Sequence, residues 1–331
     1  KLQRGFMSFL PDGKVDSSIL LKRVFPFLGA PQKEVIVGPN VGVDAAVIDV
    51  SKFPRNMVVS QDPVTGAGEN AGFHVVNVCA NDVASMGAKP MFFLSTIIMP
   101  KGATEEELER VSKDIERAAK EIGVSIVGGH TEISSKVSDL ILSGTMIGFT
   151  DRYVSTSGAR EGDDILLTKG AGIEGTAILA ESKYSYLSKC LDTKLLKSAM
   201  GLLDQISVVK EALIASSLGA VALHDPTEGG ILGGLHEISD ASNKGFEFYP
   251  EKVNLYPETK SICDALKINP FGLISSGALM IISPKEATES IIAALKKEKI
   301  PSSVIGRITK GERSHERIYQ DELWRILDTK L

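Results

Sequence analysis

The chain has 331 residues, of which 43% are hydrophobic and 24% are charged, with 37 basic and 42 acidic side chains. This length predicts two domains with enough apolar material for a core in each, which excludes a disordered chain. The formal net charge of −5 argues against a nucleic-acid-binding protein, because phosphate contacts require clustered Lys and Arg. The most apolar stretch, residues 91–99, is too short to span a bilayer, and the first ten residues lack the apolar region of a secretory signal. We therefore expect no membrane partner and no nucleic-acid partner.

Three cysteines, Cys79, Cys190 and Cys263, lie far apart in the sequence. Their odd number and wide spacing predict neither a disulfide framework nor a zinc site. We therefore expect a reducing, cytoplasmic location. The first residue is not methionine, so we also expect the gene product to begin upstream of this chain.

Strand-like and helix-like patterns alternate along the first half of the chain. They predict strands at residues 45–50, 57–60, 91–98, 124–127 and 139–148, and helices at 73–86 and 104–122. The helix at 104–122 has the clearest signals, since Thr104 with Glu107 forms a capping box and Gly123 ends the helix. A polar segment over 150–163 predicts a linker, which places the two domains at 1–155 and 156–331.

The second half shows the same alternation. The pattern predicts strands at 164–168, 220–224, 246–249, 278–283 and 302–308, and helices at 174–182, 208–218, 230–242, 259–266 and 285–297. In both halves some strands follow one another without an intervening helix. This favours a mixed α+β fold over a doubly wound α/β sheet.

Gly170, Gly172 and Gly175 form a G-x-G-x-x-G pattern between a predicted strand and a predicted helix, as in a dinucleotide-binding turn. Such a turn leads to a second strand with an acidic residue at its end, about 20 positions on. Residues 183–203 have a helical pattern instead, which disfavours a nicotinamide cofactor. Two interpretations stay open: a tight turn without a ligand, and an anion site at the N-terminus of the helix.

Four aspartates stand at the edges of apolar elements, namely Asp44, Asp62, Asp82 and Asp225. Asp44 precedes a predicted strand and Asp62 ends another. Asp82 lies on an apolar helix, and Asp225 leads from a strand into a glycine turn. Each alone is compatible with a cap or turn residue. Together they favour a Mg²⁺–nucleotide site, because carboxylate oxygens hold Mg²⁺ beside phosphates and a buried unpaired carboxylate is costly.

A further glycine pair, Gly128 and Gly129, precedes His130 in a segment that predicts a turn at a strand end. His130 is either a structural hydrogen-bonding residue or a site residue. Backbone N–H groups in such turns can bind anionic oxygens. The sequence contains neither a P-loop nor a serine nucleophile elbow.

Five segments, in this order, resemble the aminoimidazole ribonucleotide (AIR) synthase-related superfamily, and within it the hydrogenase-maturation HypE branch. They are 42–48 (GVDAAVI), 81–90 (NDVASMGAKP), 128–132 (GGHTE), 172–177 (GIEGTA) and 225–230 (DPTEGG). The resemblance covers about residues 15–308. It implies two α/β domains, with N-terminal domains that dimerise by joining their strands into a barrel. It also implies that ATP and Mg²⁺ bind in the groove so formed.

Members of this superfamily phosphorylate a poorly reactive oxygen or selenium atom, often an amide oxygen, to make a good leaving group. Carried over by position, the resemblance implies that the metal ligands are Asp44, Asp62, Asp82 and Asp225. The residues it implies for catalysis are Asp82, Asn81 and His130. The residues it implies for nucleotide binding are Asp44, Asp62, Gly128, Gly129, Thr131, Gly170, Gly172, Gly175, Thr227, Gly229 and Gly230.

Three features depart from the patterns of this superfamily. Val43 stands where a second Asp is usual, and Glu228 stands where the HypE branch often has Arg. The sequence ends at Leu331 without the Pro-Arg-Ile-Cys tail of that branch, and we predict that Cys263, the last cysteine, is buried in a helix. We therefore expect no thiocarbamate chemistry on this chain by itself, with a truncated tail as the alternative.

The leading hypothesis is a homodimeric, Mg²⁺-dependent enzyme that uses ATP to activate an amide, carbonyl or similar oxygen of a small molecule. A second hypothesis is a non-catalytic nucleotide-binding partner in a maturation complex, because the residues that define each known activity are missing. Enzymes similar to thiamine-monophosphate kinase or to AIR synthase are further alternatives. Metabolite-dependent phosphate release distinguishes among these hypotheses.

Overall fold

The computed structural model describes residues 10, 13–40, 45–65 and 70–329. The chain divides into two units, one formed by residues 1–83 and 88–151 and the other by residues 84–87 and 152–331. In its described residues each unit combines helices with a five-stranded sheet, so the mixed α+β class predicted from the sequence is confirmed. None of the helices in these ranges has the length and apolar character that a membrane span requires.

In the sequence of the first unit, each helix is preceded and followed by a strand. Its strands are β1 (Gly13–Lys14), β2 (Val35–Val37), β3 (Val47–Ile48), β4 (Asn56–Thr65), β5 (Lys89–Pro100), β6 (Ser125–Ser134) and β7 (Ile141–Thr150). Its helices are α1 (Ser17–Arg23), α2 (Ala71–Ser85) and α3 (Glu105–Ile122). β2 and β3 pair with each other in a small separate sheet.

The large sheet of the first unit has the strand order β1-β6-β5-β7-β4. β5 runs parallel to β6 and antiparallel to β7, and β7 pairs antiparallel with the whole of β4. Helix α2 packs on this sheet, where the Cys79 thiol donates a hydrogen bond to the carbonyl oxygen of Gly144 at 3.3 Å. Exposure alternates along β4 because successive side chains point to opposite faces of the sheet.

Helix α3 begins and ends where the sequence predicts. The Thr104 hydroxyl accepts from the backbone N–H of Glu107, and the Glu107 carboxylate accepts from the backbone N–H of Thr104. Gly123 follows the helix in the left-handed conformation. The apolar stripe of α3 is buried at Leu108, Val111, Ile115, Ala118 and Ala119 and half-buried at Ile122. Local side-chain chemistry therefore defines this helix and turns its apolar stripe toward the core.

The second unit contains five strands and eight α-helices in its described residues. The strands are β8 (Asp164–Thr168), β9 (Ala222–His224), β10 (Gly245–Phe248), β11 (Met280–Ser283) and β12 (Ser302–Thr309). The helices are α4 (Ile173–Ser182), α5 (Tyr184–Leu187), α6 (Thr193–Met200), α7 (Val209–Ser217), α8 (Gly230–Ser242), α9 (Pro257–Leu266), α10 (Lys285–Lys297) and α11 (Glu322–Leu327).

The sheet of the second unit has the order β10-β12-β8-β11-β9, and its pairs are antiparallel. β8 lies between β11 and β12, and the helices α4, α5, α6 and α7 follow it before the next strand. A dinucleotide-binding unit needs a parallel strand directly after the first helix. This topology therefore agrees with the sequence in disfavouring a nicotinamide site at residues 170–175.

Two predictions of element position in the first unit are wrong. Residues 128–132 do not form a turn at a strand end, because β6 runs through them. Gly129 serves close strand packing instead: its φ is +154°, and a Cβ there would lie 2.1 Å from the carbonyl oxygen of Ser95. Asp62 does not end its strand, because pairing with β7 extends β4 to Thr65.

Candidate functional site

Two of the predicted metal ligands come together in the first unit. Asp62 projects from β4 and Asp82 from α2, and the hydroxyl of Ser60 lies between them. The Ser60 Oγ donates to Asp82 Oδ2 and lies 3.3 Å from Asp62 Oδ2. Ser60 and Asp62 are two residues apart on a strand, so both side chains point to the face that α2 covers. The next helical residue, Asn81, is buried.

This cluster supplies two half-buried carboxylates and one hydroxyl as oxygen donors. In the ranges that the structure describes, no three His, Cys, Asp or Glu side chains are arranged to hold a metal ion. Mg²⁺ commonly takes one or two protein carboxylates and completes its shell with water and phosphate oxygens. The donors therefore fit a Mg²⁺–phosphate complex and do not form an all-protein cage. Asp44 lies outside the described residues.

Cys79 is buried on α2, one turn before Asp82. Burial raises the pKa of its thiol to about 12, and the negative charges of Asp62 and Asp82 act in the same direction. Cys263 is buried in α9 at 2% exposure, and burial likewise raises its pKa to about 12, with Asp264 and Glu322 adding to the effect. The prediction of a buried helical thiol at Cys263 is thus confirmed.

Thiol labelling checks these two environments. A thiol reacts as its thiolate, so pKa values of about 12 keep Cys79 and Cys263 protonated and inert near pH 8. We expect Ellman's reagent to modify only Cys190, which is exposed, in the native protein, and all three cysteines after denaturation. Rapid native labelling that persists in a Cys190→Ser variant would contradict the burial of the other two thiols.

A cavity of about 450 Å³ borders β6 in the same unit. Its volume lies within the range of small-molecule sites, about 300–1,000 Å³. Most of its apolar lining comes from α1 and the residues that follow it, together with Ile115 of α3 and Ile126 of β6. The predicted site residues among its lining are Gly128, Gly129, His130 and Thr131. The structure thus places these four residues around one concave space.

The aspartate pair and the cavity occupy different strands of one sheet. Asp62 stands opposite Gly144, Gly144 opposite Ser95, and Ser95 opposite Gly129. Three strand spacings of about 4.8 Å separate the backbones of Asp62 and Gly129 by about 14 Å. The two features would therefore contact different parts of any ligand that reaches both.

Three residues that the structure places at these features were not predicted from the sequence. Ser60 joins the aspartate pair, and Glu132 contacts His130, with 3.0 Å between Oε2 and Nε2. Both stand two residues from a predicted site residue on a strand, a spacing that could have indicated them. Lys14 lines the cavity from β1 and stands opposite Glu132. Its place depends on strand pairing, which the sequence does not reveal.

The second unit contains the other predicted residues, and its glycine turns are tightly packed. The N–H of Gly172 donates to Ser275 Oγ at 2.8 Å, and the N–H of Gly229 donates to Asp321 Oδ2 at 2.7 Å. Gly230 has φ +60°, and a Cβ there would lie 2.5 Å from the carbonyl oxygen of Leu273. Packing thus accounts for these glycines, and a contact between them and a nucleotide stays a prediction.

The remaining predicted residues lie in or beside the same turns. Asp225 is buried directly after β9, and Thr227 is half-buried two residues later. Gly170 precedes α4 and packs against the backbone of Asn254. Gly175 lies within α4 and packs against the Leu273 side chain. These residues belong to the second unit, whereas Asp62 and Asp82 belong to the first.

A hydrogen bond to the Asp321 side chain connects the segment after β12 to the turn at Gly229. The Asp321 carboxylate is buried and accepts the N–H groups of Gly229 and Leu323, each at 2.7 Å. Burial raises the pKa of Asp321, and these hydrogen bonds act against that increase. The indole N–H of Trp324 donates to Glu228 Oε1 at 2.9 Å and adds a second attachment. Glu228 therefore has a structural partner within the described residues.

Comparison with known proteins identifies the family. The model of the N-terminal domain of AIR synthase related proteins matches residues 42–150, and that of the C-terminal domain matches residues 160–318. A putative hydrogenase expression/formation protein of Methanocaldococcus jannaschii is 30% identical over 256 residues, which are 76% of this chain and 74% of that protein. The carbamoyl dehydratase HypE of Bradyrhizobium diazoefficiens is 28% identical over 264 residues, 77% and 74% of the two chains.

Solved structures share the fold. The crystal structure of the hydrogenase maturation protein HypE in complex with ATP matches with a TM-score of 0.74 at 24% identity, covering 93% of this chain and 96% of that one. Thiamine-monophosphate kinase from Stenotrophomonas maltophilia matches with a TM-score of 0.74 at 19% identity, covering 94% and 99%. Two domain models that together span most of the sequence, with relatives aligned over three quarters of their length, show that this chain belongs to the AIR synthase related protein family.

Proposed function

We propose that this protein is a Mg²⁺-dependent enzyme that uses ATP to phosphorylate an amide, carbonyl or similar oxygen of a small substrate. The observation that carries the proposal is the meeting of Asp62 and Asp82 at the Ser60 hydroxyl. Membership of a family whose relatives include a carbamoyl dehydratase supports an oxygen-activating reaction. The fold shared with HypE in complex with ATP supports ATP as the nucleotide.

Asp62 and Asp82 would hold Mg²⁺ through their carboxylate oxygens, and Ser60 keeps both side chains in place. The ion would neutralise the charge that develops on the phosphates. The apolar lining of the cavity excludes water from the nucleoside, while Lys14 and His130 give the cavity polar groups for the phosphates. No protein nucleophile is needed, because positioning and electrostatic stabilisation account for most of the catalysis of phosphoryl transfer.

Isothermal titration calorimetry with AMP-PNP tests the proposal. We expect saturable binding in the presence of Mg²⁺ and much weaker binding when EDTA replaces the metal. ADP release is then screened over amides, carboxylates and phosphorylated vitamins to identify the acceptor. The proposal is abandoned if millimolar AMP-PNP with Mg²⁺ gives no binding.

We also propose that two copies of the chain associate through β4. This strand lies at the end of the sheet order, and its outward face exposes Met57 at 62% and Val59 at 51%. A long, exposed, apolar edge strand is a surface on which another strand can pair. Light scattering is expected to give a mass of twice 35.4 kDa. Val59→Lys should yield monomers, whereas Leu218→Lys, at an exposed apolar site of the second unit, should not.

A further inference from the structure

The Lys169 ammonium group lies among four oxygen atoms of the second unit. The carbonyl oxygens of Gln205, Ser207 and Gly277 lie 2.9, 2.6 and 2.9 Å from Nζ. Glu211 Oε1 lies 2.8 Å from the same atom. An ammonium group has three N–H donors, so four oxygens at these distances cannot each have an N–H of their own. The four atoms, which we call the oxygen cage, therefore surround the charge as they would surround a spherical cation.

The charge of the oxygen cage fits a monovalent cation. One carboxylate among three neutral carbonyl groups gives the cage a single negative charge, which one positive charge balances. The side chains of Lys169 and Glu211 are only 11% and 2% exposed, so a divalent ion would leave an excess charge in a buried place. An uncompensated buried charge is costly.

The size of the oxygen cage points to the same class of ion. Its distances of 2.6–2.9 Å exceed the oxygen distances of Mg²⁺, about 2.0–2.1 Å, and of Ca²⁺, about 2.3–2.6 Å. K⁺ is close to ammonium in size, and proteins hold it with backbone carbonyl oxygens that replace its water shell. Three of the four atoms of the cage are carbonyl oxygens of this kind.

The oxygen cage joins three turns. Lys169 directly follows β8 and has φ +56°, in the left-handed region that glycine adopts without strain. Gln205 precedes α7. Gly277 lies two residues after Ser275, whose Oγ accepts the N–H of Gly172 at 2.8 Å. A cation in the cage therefore holds the turn before α4 against two neighbouring segments.

We propose that the oxygen cage is a monovalent-cation site that the Lys169 ammonium fills, and that it binds K⁺ once this side chain is removed. In the native protein the ammonium group balances the Glu211 carboxylate, so the cage takes no added ion. Lys169→Gly is the variant that separates the side chain from the backbone, because glycine accepts the left-handed conformation. It leaves the four oxygens in place around an empty space.

Urea unfolding of the full chain, followed by the fluorescence of the single tryptophan Trp324, tests the proposal. Choline replaces K⁺ so that the total chloride concentration stays fixed. Raising K⁺ from about 20 to about 200 mM should lower the unfolding constant of Lys169→Gly about tenfold, as for one ion bound only by the folded state. n-Butylammonium, which supplies the carbons and the ammonium group that the substitution removes, should act like K⁺. Li⁺ should have little effect, because it is too small to contact all four oxygens.

Three controls fill the oxygen cage or remove its charge. The wild type and Lys169→Met should unfold alike in K⁺ and in choline, because a side chain occupies the cage. Lys169→Gly/Glu211→Gln should lose most of the response to K⁺, because no negative charge remains in the cage.

Each outcome decides the proposal. Equal unfolding of Lys169→Gly in K⁺ and in choline overturns it, and so does a wild type with the same tenfold response, since the ion would then bind elsewhere. If Lys169→Gly does not fold in choline, refolding on addition of K⁺ supports the proposal. Failure to refold in both K⁺ and n-butylammonium overturns it.

Discussion

Replacing Asp82 by Asn is expected to weaken MgATP binding about 100-fold, because two charges about 4 Å apart interact by several kcal/mol even in a partly solvated site. Asp82 contributes half of the negative charge at the cluster with Asp62 and Ser60. Asparagine has nearly the same shape, so the variant removes the charge and leaves the space filled. Calorimetric titration of AMP-PNP at several Mg²⁺ concentrations measures the loss.

The folded state should tolerate this change. The Ser60 hydroxyl can donate to the amide oxygen of the introduced asparagine as it does to the carboxylate, and removing one of two adjacent negative charges relieves repulsion. We therefore expect an unchanged or slightly higher Tm for Asp82→Asn. Asp139→Asn, at an exposed position of the same unit, is the control for a simple loss of charge. If Asp82→Asn unfolds the protein and spares nucleotide binding, Asp82 is a structural residue.

Replacing Lys169 by Met is expected to destabilise the second unit by about 3–5 kcal/mol, the range for breaking a buried ion pair by removing one partner. The Lys169 ammonium lies 2.8 Å from Glu211 Oε1. It also donates to the carbonyl oxygens of Gln205, Ser207 and Gly277, at 2.9, 2.6 and 2.9 Å. The side chains of Lys169 and Glu211 are only 11% and 2% exposed.

The large loss of stability follows because Lys169→Met leaves the buried partners of the ammonium group in place. Methionine fills a similar volume, but the Glu211 carboxylate loses its buried counterion and three carbonyl oxygens lose a buried donor. The double variant Lys169→Met/Glu211→Leu should recover part of the loss, because it removes the uncompensated charge as well. Urea unfolding followed by the fluorescence of Trp324, the single tryptophan, reports on this unit. A loss below about 1 kcal/mol would show that water or rearrangement replaces the ammonium group.

The sequence by itself determined the elements whose signals are local. The helix α3 follows from its capping box and from Gly123, and the helices α8 and α10 begin and end at the predicted residues. The same reasoning placed Asp82 on an apolar helix and Cys263 inside a buried one. Caps and helical periodicity act over three or four residues, so the information for them lies within one short segment.

Only the tertiary structure decided which residues meet. The local sequence around Gly128 and Gly129 predicts a turn, but parallel pairing with β5 makes these residues part of a strand. The sequence predicts that Asp62 ends a strand, but ten residues of pairing with β7 place it inside β4. There Asp62 and Asp82, which lies on a helix, contact the same Ser60 hydroxyl. The carbonyl oxygens that accept hydrogen bonds from Lys169 lie 36 to 108 residues away in the sequence. Strand pairing and burial depend on the partner as much as on the segment itself, so no local pattern encodes these contacts.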